Sequence, residues 1–302
     1  MSKLSPDSFR RAADFINSRA RPIDQRLFEF YFASGSADAV IAAVANYQNP
    51  DGGFGHAIEP DFRLLTSSPM ATTIAFQYLI EVAAHPDHPV VRAAIHYFLK
   101  MYDSARGLWP NVPPEVNDFP HAPWWHHEKP AETFQPVCNA EIVAYLNAYP
   151  ALVPQDILDR VNYIALTTLV NLPDAMEFHA LLCYLRLAQE IPAPRDILIL
   201  SKLRAAVPLI VTKDSAKWST YCVKPLTLAP TPYSPLADVL DPADISANLE
   251  YEIQHQSPAG SWAPTWAWGQ YPETWPEANL EWQGILTVKM LHTLKSYNRI
   301  DH

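Results

Sequence analysis

A helix–turn–aromatic pattern recurs along the 302-residue chain and constrains its fold more than any other feature. In four places a helix-like segment ends in a polar turn that leads to a large aromatic residue: Phe54, Trp109, Trp218 and Trp262. Their spacing corresponds to a period of about 50 residues, with one member missing near residue 163. A unit of that length holds two helices. Such hairpins must stack, because none can bury its apolar face alone.

Glycine is scarce, and most of it lies at these turns. The chain has 8 glycines, well below the usual share of about 7%, and five of them are turn residues: Gly52, Gly53, Gly55, Gly107 and Gly260. A glycine precedes Phe54, Trp109 and Trp262 by one or two positions, which predicts a backbone with positive φ at the end of a helix.

Helical periodicity dominates the rest of the chain, and strand signals are almost absent. We predict eleven helices, with Ser5 and Asp241 as caps of helices that begin at Pro6 and Pro242. Many of the 29 prolines fall at helix starts or ends, where proline is tolerated. Three stretches read as irregular, 104–135, 219–236 and 257–275, and loops of that length are usually functional. The prediction is one all-α domain over residues 1–302, built from five or six hairpins.

Composition excludes several classes of protein. A net charge of −10 disfavours a surface for nucleic acid, and no Gly-rich phosphate-binding motif occurs. The three cysteines have no C-x-x-C spacing, and an odd number suits a reducing compartment. No stretch of 18 apolar residues and no leader-like N-terminus is present. We therefore expect a soluble cytoplasmic protein without an integral membrane segment.

Two of the turns resemble a known motif. Gln48, Gly52 and Phe54, and again Gln256, Gly260 and Trp262, are similar to the QW-type repeat of the terpenoid cyclase and protein prenyltransferase superfamily. The stretch YQNPDGGFGHAIEPDFR also resembles small bacterial proteins that are prenyltransferase-like or squalene-cyclase-like. The resemblance implies an α/α toroid, in which inner and outer rings of helices surround a central cavity.

The catalytic motifs of that superfamily are missing. No Asp lies two residues before any of the three cysteines, as the zinc site of the prenyltransferases requires, and no Asp-x-Asp-Asp acid occurs. The nearest approach to a metal-binding Asp-Asp-x-x-Asp run is Asp238, Asp241 and Asp244, which we interpret as a helix N-terminus capped by Asp241. No catalytic set is therefore carried over, and we predict no cofactor.

The first candidate site is the acidic loop, which we define as residues 56–63. It holds His56, Glu59, Asp61 and Arg63 directly after a glycine turn. A carboxylic acid in an aromatic cavity has its pKa raised by desolvation and can protonate an alkene or a leaving group. We predict Asp61 or Glu59 as this general acid, with His56 tuning it. In the alternative interpretation, Arg63 pairs with one carboxylate only to fix the loop.

The second candidate site is the His/Trp loop, residues 117–128, which is the segment densest in His and Trp. Its predicted substrate-binding residues are Asp118, His121, Trp124, Trp125 and His126. Aromatic faces stabilise cations by roughly 0.5 to 2 kcal/mol each. Two alternatives remain open: plain packing, and a metal site formed by His121, His126 and Glu128.

Further aromatic residues extend the prediction beyond this loop. Trp109 and Trp266 complete the predicted substrate-binding set, with Trp266 in a second aromatic wall near the C-terminus. His179 and Cys183 lie four residues apart on one helix, and a structural role for them is favoured over a nucleophilic pair.

Three functions fit these features. The first is an isoprenoid-type cyclase-like enzyme with a carboxylic general acid, acting on a small apolar substrate in an aromatic-lined cavity. The second is a carbohydrate-active (α/α)-barrel hydrolase or lyase with paired carboxylates. The third is a ligand-binding toroid without catalysis, which would lack a buried carboxylate. The oligomeric state is left open.

Overall fold

A computed structural model describes residues 2–301 of the chain, and in that range the ordered elements are helices. The twelve α-helices are α1 (Pro6–Arg19), α2 (Pro22–Phe32), α3 (Ala37–Ala45), α4 (Pro69–Glu81), α5 (Pro89–Met101), α6 (Pro136–Ala148), α7 (Gln155–Asn171), α8 (Phe178–Glu190), α9 (Arg195–Ile210), α10 (Pro225–Leu228), α11 (Pro242–Gln254) and α12 (Trp275–Ser296). Within residues 2–301, β-structure consists of isolated bridges between single residue pairs. The all-α prediction is confirmed. Within the described range, every helix is too short or too polar to cross a membrane.

Eleven of these helices correspond to the predicted ones. The caps are also confirmed, since Ser5 and Asp241 accept backbone N–H bonds at the starts of α1 and α11. The additional helix is α10, a single turn inside the stretch 219–236 that was predicted to be irregular. A segment of four residues is too short to show a helical period, so the pattern could not reveal it.

The chain divides into two compact units. The middle unit comprises Ala37–Ala206, and the terminal unit comprises Met1–Ser36 together with Val207–His302. Helix α9 carries the chain from one to the other. The toroid concerns the arrangement of both units and stays a prediction, as does the description of residues 1–302 as one domain.

Helix α6 is the centre of the middle unit. Every residue from 138 to 147 is buried, and the helix packs against α4, α5, α7 and α8. A helix that is apolar on all sides is expected in such a position. It begins with a local distortion, because Cys138 has a φ of 65°, which a residue with a side chain rarely adopts.

In the terminal unit the two ends of the chain meet. Helix α1 packs against α12, and Leu4 forms a parallel bridge with Ile300. The Arg299 side chain donates a hydrogen bond to the carbonyl oxygen of Ser2 over 2.6 Å. The first and last helices are therefore neighbours, although almost the whole sequence separates them.

The two Gln-Gly-aromatic turns have the same geometry. In the middle unit, Gln48 Nε2 donates both to Gly52 O, across the turn, and to Val90 O in the first turn of α5, over 2.9 and 3.0 Å. Gly52 has a φ of 90° and lies against Ala93 of that helix, where an added Cβ would stand 2.4 Å from the carbonyl oxygen.

The terminal unit repeats each of these contacts. Gln256 Nε2 donates to Gly260 O and to Ser8 O in α1, both over 2.9 Å. Gly260 has a φ of 92° and lies against Arg11, three residues after the bonded carbonyl, as in the middle unit. Each turn thus clamps the end of one helix onto the start of another.

A buried threonine holds each aromatic residue that follows. Thr72 Oγ1 accepts the Phe54 N–H, and Thr287 Oγ1 accepts the Trp262 N–H, both over 3.1 Å. Each threonine hydroxyl donates to the carbonyl four residues earlier. Two of the four predicted members of the repeat, Phe54 and Trp262, therefore share an equivalent hydrogen-bond network, one in each unit.

Glycine substitutions test this account of the turns. Gly52→Ala and Gly260→Ala should each lower the free energy of unfolding by roughly 2 to 5 kcal/mol, because positive φ and a steric clash add. The matched control is Gly269→Ala. Gly269 has a φ of 70° but no atom within 4 Å of the added Cβ, so it should lose only about 1 kcal/mol. Equal losses for all three variants, measured by urea unfolding, would refute the close-approach argument.

Candidate functional site

The acidic loop and the His/Trp loop meet in the middle unit. Phe62 and His121 form an antiparallel bridge. On its two sides, Ala122 N–H donates to Asp61 O over 2.8 Å and Arg63 N–H donates to Pro120 O over 3.1 Å. This arrangement places Phe62 and His121 directly opposite each other. The two candidate sites, which the sequence did not join, are one structural feature.

The carboxylates of the acidic loop are buried. Glu59 is 7% exposed and Asp61 is 2% exposed. Phe62 belongs to a buried apolar cluster that includes Cys138, and Trp125 packs against it with its ring edge-on to Phe62 at 6.2 Å. The general-acid prediction requires buried carboxyl groups, and this loop holds two. The catalytic role itself stays a prediction.

His56 has a different environment from the two carboxylates. It is exposed, and its Nε2 lies 2.9 Å from Asn49 Oδ1. Asn49 also donates to Leu65 O and Ser67 Oγ, so His56 helps to fix the shape of the loop. Its hydrogen bond within the described range goes to this turn. The predicted tuning of a general acid by His56 stays a prediction.

The two histidines of the His/Trp loop form a pair. His121 Nδ1 lies 2.7 Å from Phe119 O, and its Nε2 lies 3.2 Å from His126 Nδ1. A carbonyl oxygen only accepts, so this network assigns a proton to Nδ1 of His121. In the neutral pair, His126 then donates to His121 Nε2. The buried His121 is thereby linked to the exposed His126.

The base of the His/Trp loop is closed by one side chain. Asn117 accepts the backbone N–H of His127 and donates to its carbonyl oxygen, over 3.0 and 2.9 Å. Trp124, which is 51% exposed, and Asp118 are directed to solvent. The indole N–H of Trp125 is buried and lacks a hydrogen-bond partner among residues 2–301. Such a donor calls for an acceptor on a water or a ligand.

The remaining predicted binding residues lie elsewhere. Trp109 is fully buried, its indole N–H donates to Phe98 O over 2.7 Å, and its backbone N–H donates to Asn139. These contacts give Trp109 a packing role. Trp266 lies in the terminal unit, edge-on to Tyr221 and Trp282. A binding role for either residue stays a prediction.

A buried carboxylate that sequence reasoning missed organises α6. Glu141 is 4% exposed and accepts hydrogen bonds from Gln77 over 2.9 Å and from Tyr145 over 2.5 Å, both to Oε1. Its Oε2 lies 3.5 Å from Cys183 Sγ and 3.4 Å from Arg186 Nη1. The sequence does contain a signal for this buried carboxylate, because Glu141 is the one charged residue of the otherwise uncharged helix α6.

Burial and charge perturb the groups around Glu141. Burial raises the pKa of Tyr145 and of the Cys183 thiol, and the Glu141 charge adds to both effects. The pKa of the Cys138 thiol is also raised, first by burial and then by the charges of Cys183, Glu141 and Glu59. Cys138 thus lies within electrostatic range of both Glu141 and the acidic loop. Strongly shifted groups concentrated in one place mark a candidate functional site.

On α8, His179 and Cys183 contact different carboxylates, and the structural role favoured for them stays a prediction. His179 Nδ1 lies 2.5 Å from Glu177 Oε1, and Glu177 also caps α8. The buried Cys183 thiol faces Glu141 instead. A high pKa and burial make this thiol a poor nucleophile.

Metal-binding groups and surface grooves are two further features that can mark a functional site. In the described range, no three His, Cys, Asp or Glu side chains are grouped so that they could hold a metal ion. One groove of about 380 Å³ lies on α5 beside Arg92 and His96, and another of about 350 Å³ lies beside Phe9 and Phe32. Residues of neither loop line them, so we base the site on the loop pairing.

The closure of the His/Trp loop can be tested by deleting its clamp. Asn117→Ala removes two hydrogen bonds to the His127 backbone, so amide hydrogen exchange across 117–128 should become at least about tenfold faster. Asn171→Ala is the control, because Asn171 is an exposed helix residue that bonds only to Thr167 O. Unchanged exchange in the Asn117 variant would contradict the proposed clamp.

Thiol reactivity tests the surroundings of α6. Cys138 and Cys183 are buried with raised pKa values, whereas Cys222 is partly exposed. In the folded protein, a thiol reagent should modify Cys222 more than about 100-fold faster than the other two. Cys222→Ser should abolish the fast reaction. A second fast thiol in that variant would show that the α6 region is open to solvent.

Sequence comparison adds no family to this geometry. No protein-family model matches the chain, and no curated protein has a significantly similar sequence. The function is therefore argued from the residues described above.

Proposed function

We propose that the protein is an isoprenoid-type cyclase-like enzyme with an α/α toroid fold. The observation that carries the proposal is the pairing of the acidic loop with the His/Trp loop around Phe62 and His121. Glu59 and Asp61 are buried in the paired segment, and Phe62, which packs against Trp125, follows Asp61 in the chain. The substrate is a small apolar molecule with a carbon–carbon double bond.

The reaction begins with proton transfer from a carboxylic acid. The acid of Asp61 or Glu59 gives its proton to one alkene carbon, which forms a C–H bond and leaves a carbocation at the other carbon. A second double bond of the substrate attacks this cation and closes a ring. The final cation loses a proton to a base, so the product is an isomer of the substrate and the acid is restored through solvent.

Aromatic groups and the histidine pair serve the later steps. Faces of Trp125 and Phe62 stabilise the cation, at roughly 0.5 to 2 kcal/mol each. In the neutral pair, the Nδ1–H group of His126 donates a hydrogen bond to Nε2 of His121. The Nε2 lone pair of the exposed His126 then accepts the proton that the final cation releases.

Several features support the toroid and its setting. The matched Gln-Gly-aromatic turns, the neighbouring chain ends and the packing of α6 against α4 and α8 are compatible with a closed ring of hairpins. The three cysteines are free, which suits the cytoplasm as the site of the reaction.

A carbohydrate-active enzyme is the second candidate. The exposed Trp124 favours it, because a flat open aromatic ring can cover a sugar face. Such an enzyme would use its two carboxyl groups about 5–5.5 or 6.5–9.5 Å apart across the scissile bond.

The experiment is a substrate screen in deuterated water. Acyclic isoprenoids and oligosaccharides are incubated with the protein, and products are identified by mass spectrometry. A cyclised isomer that carries one deuterium at the protonated carbon is expected. Glu59→Gln combined with Asp61→Asn should lower turnover at least about 10³-fold, since general acid catalysis contributes about 10²–10⁴-fold.

Glu128→Gln is the control, because Glu128 is an exposed carboxylate of the His/Trp loop. It should retain turnover within about twofold. Full activity of the double variant on any substrate found would overturn the general-acid role. Hydrolysis of an oligosaccharide, lost in the same variant, would favour the second candidate.

A further inference from the structure

A polar row crosses three helices of the middle unit, and the proposed reaction leaves it unused. Gln77 lies on α4, Glu141 on α6 and Arg186 on α8, and these helices pack side by side. Hydrogen bonds join Gln77 to Glu141 and Glu141 to Arg186. A buried ion pair is weak grounds for stability, because desolvation of two charges offsets their attraction. The row therefore calls for a function.

Arg186 has open hydrogen-bonding capacity. Among residues 2–301 its guanidinium makes one hydrogen bond, to Glu141 Oε2 over 3.4 Å, although the group has five N–H donors. Its side chain is 31% exposed. Burial, the largest single influence, lowers the pKa of Arg186, but the Glu141 charge and neighbouring groups raise that pKa above its usual value. The guanidinium is therefore paired with a buried carboxylate while part of the side chain is open to water.

We propose that Arg186 binds a carboxylate group of the ligand at the partly exposed end of the row that runs through Glu141 to Gln77. The planar guanidinium matches a carboxylate in two parallel hydrogen bonds. Glu141 holds the guanidinium from one side. The Gln77 amide oxygen, which has no hydrogen bond within the described range, accepts one from a hydroxyl group of the ligand.

The local charge selects a singly charged group. Arg186 already shares its charge with Glu141. A carboxylate adds one negative charge, whereas a phosphate group adds nearly two and meets stronger repulsion. The ligand is therefore an apolar molecule with a carboxylate at one end.

This inference rests on the proposed function only in assuming that the carboxylate and the reacting double bond belong to one ligand. Cys138 lies between the paired loops and Arg186. It packs in the cluster that holds Phe62, and it is close enough to Arg186 for that charge to affect the Cys138 pKa. Binding of the carboxylate requires no reaction, so binding and turnover can fail separately.

The test is isothermal titration calorimetry with octanoate, 1-octanol and octyl phosphate. The wild-type protein should bind octanoate at least about tenfold more tightly than either of the others, since a charge-assisted bidentate pair is lost with octanol. Arg186→Gln should weaken octanoate binding roughly 10- to 100-fold, to the level of octanol. Equal binding of octanoate and octanol by the wild type, or tighter binding of octyl phosphate, would overturn the proposal.

Three variants separate the possible explanations. Arg92→Gln removes an exposed arginine from the separate groove on α5 and should leave octanoate binding unchanged. A loss in that variant in place of the Arg186 variant would move the site to α5 and overturn the proposal. Arg186→Lys keeps the charge and should bind octanoate with intermediate affinity. This variant replaces the Gln variant if the latter does not fold, and wild-type affinity in it would refute the bidentate contact.

The double variant Glu59→Gln, Asp61→Asn should still bind octanoate within about twofold of the wild type. Its loss of turnover with retained binding separates the two proposals. Loss of octanoate binding in that variant would place the carboxylate at the acidic loop and overturn the Arg186 assignment.

Discussion

The close approach of a glycine to a facing helix is the contact on which each unit depends. Gly52 and Gly260 stand where any Cβ would overlap the backbone of α5 or α1, and a glutamine side chain binds the same helix one turn earlier. This contact fixes the direction in which the chain leaves the helix. The aromatic residue that follows is then delivered to a buried threonine. Helix order, turn geometry and aromatic core are thus set by one local arrangement used twice.

The functional features lie where the helical packing leaves charge in the interior. The acidic loop begins directly after the Gly52 turn, and its pairing with the His/Trp loop keeps Glu59 and Asp61 out of water. Glu141 is held in α6 by donors from α4 and α8. Isolated carboxylates are costly to bury, so these groups shape the chemistry available in the middle unit. An acid in the acidic loop and an arginine on α8 suit the proposed ligand, an apolar molecule with a carboxylate at one end.

The helices could be predicted because their signals are local in the sequence. The candidate site could be predicted only in part, because it depends on pairing between residues far apart in the chain. Ser5 and Asp241 cap helices because neighbouring residues supply the N–H groups, and sequence shows both partners. The bridge between Phe62 and His121 joins residues far apart in the chain, which no local period reveals. Glu141 is visible as a lone charge in an apolar segment, but its partners Gln77 and Arg186 lie on other helices. Trp109 drew attention as an aromatic residue, although its contacts are those of a packed side chain.

The central claim is that the paired loops form one binding site for an apolar ligand. Its most direct test is an experimental electron-density map of the protein with whatever ligand it retains on purification. The account predicts ligand density in contact with Trp125 and within hydrogen-bond distance of the Asp61 or Glu59 carboxyl group. Ligand density that touches neither the acidic loop nor the His/Trp loop would contradict it.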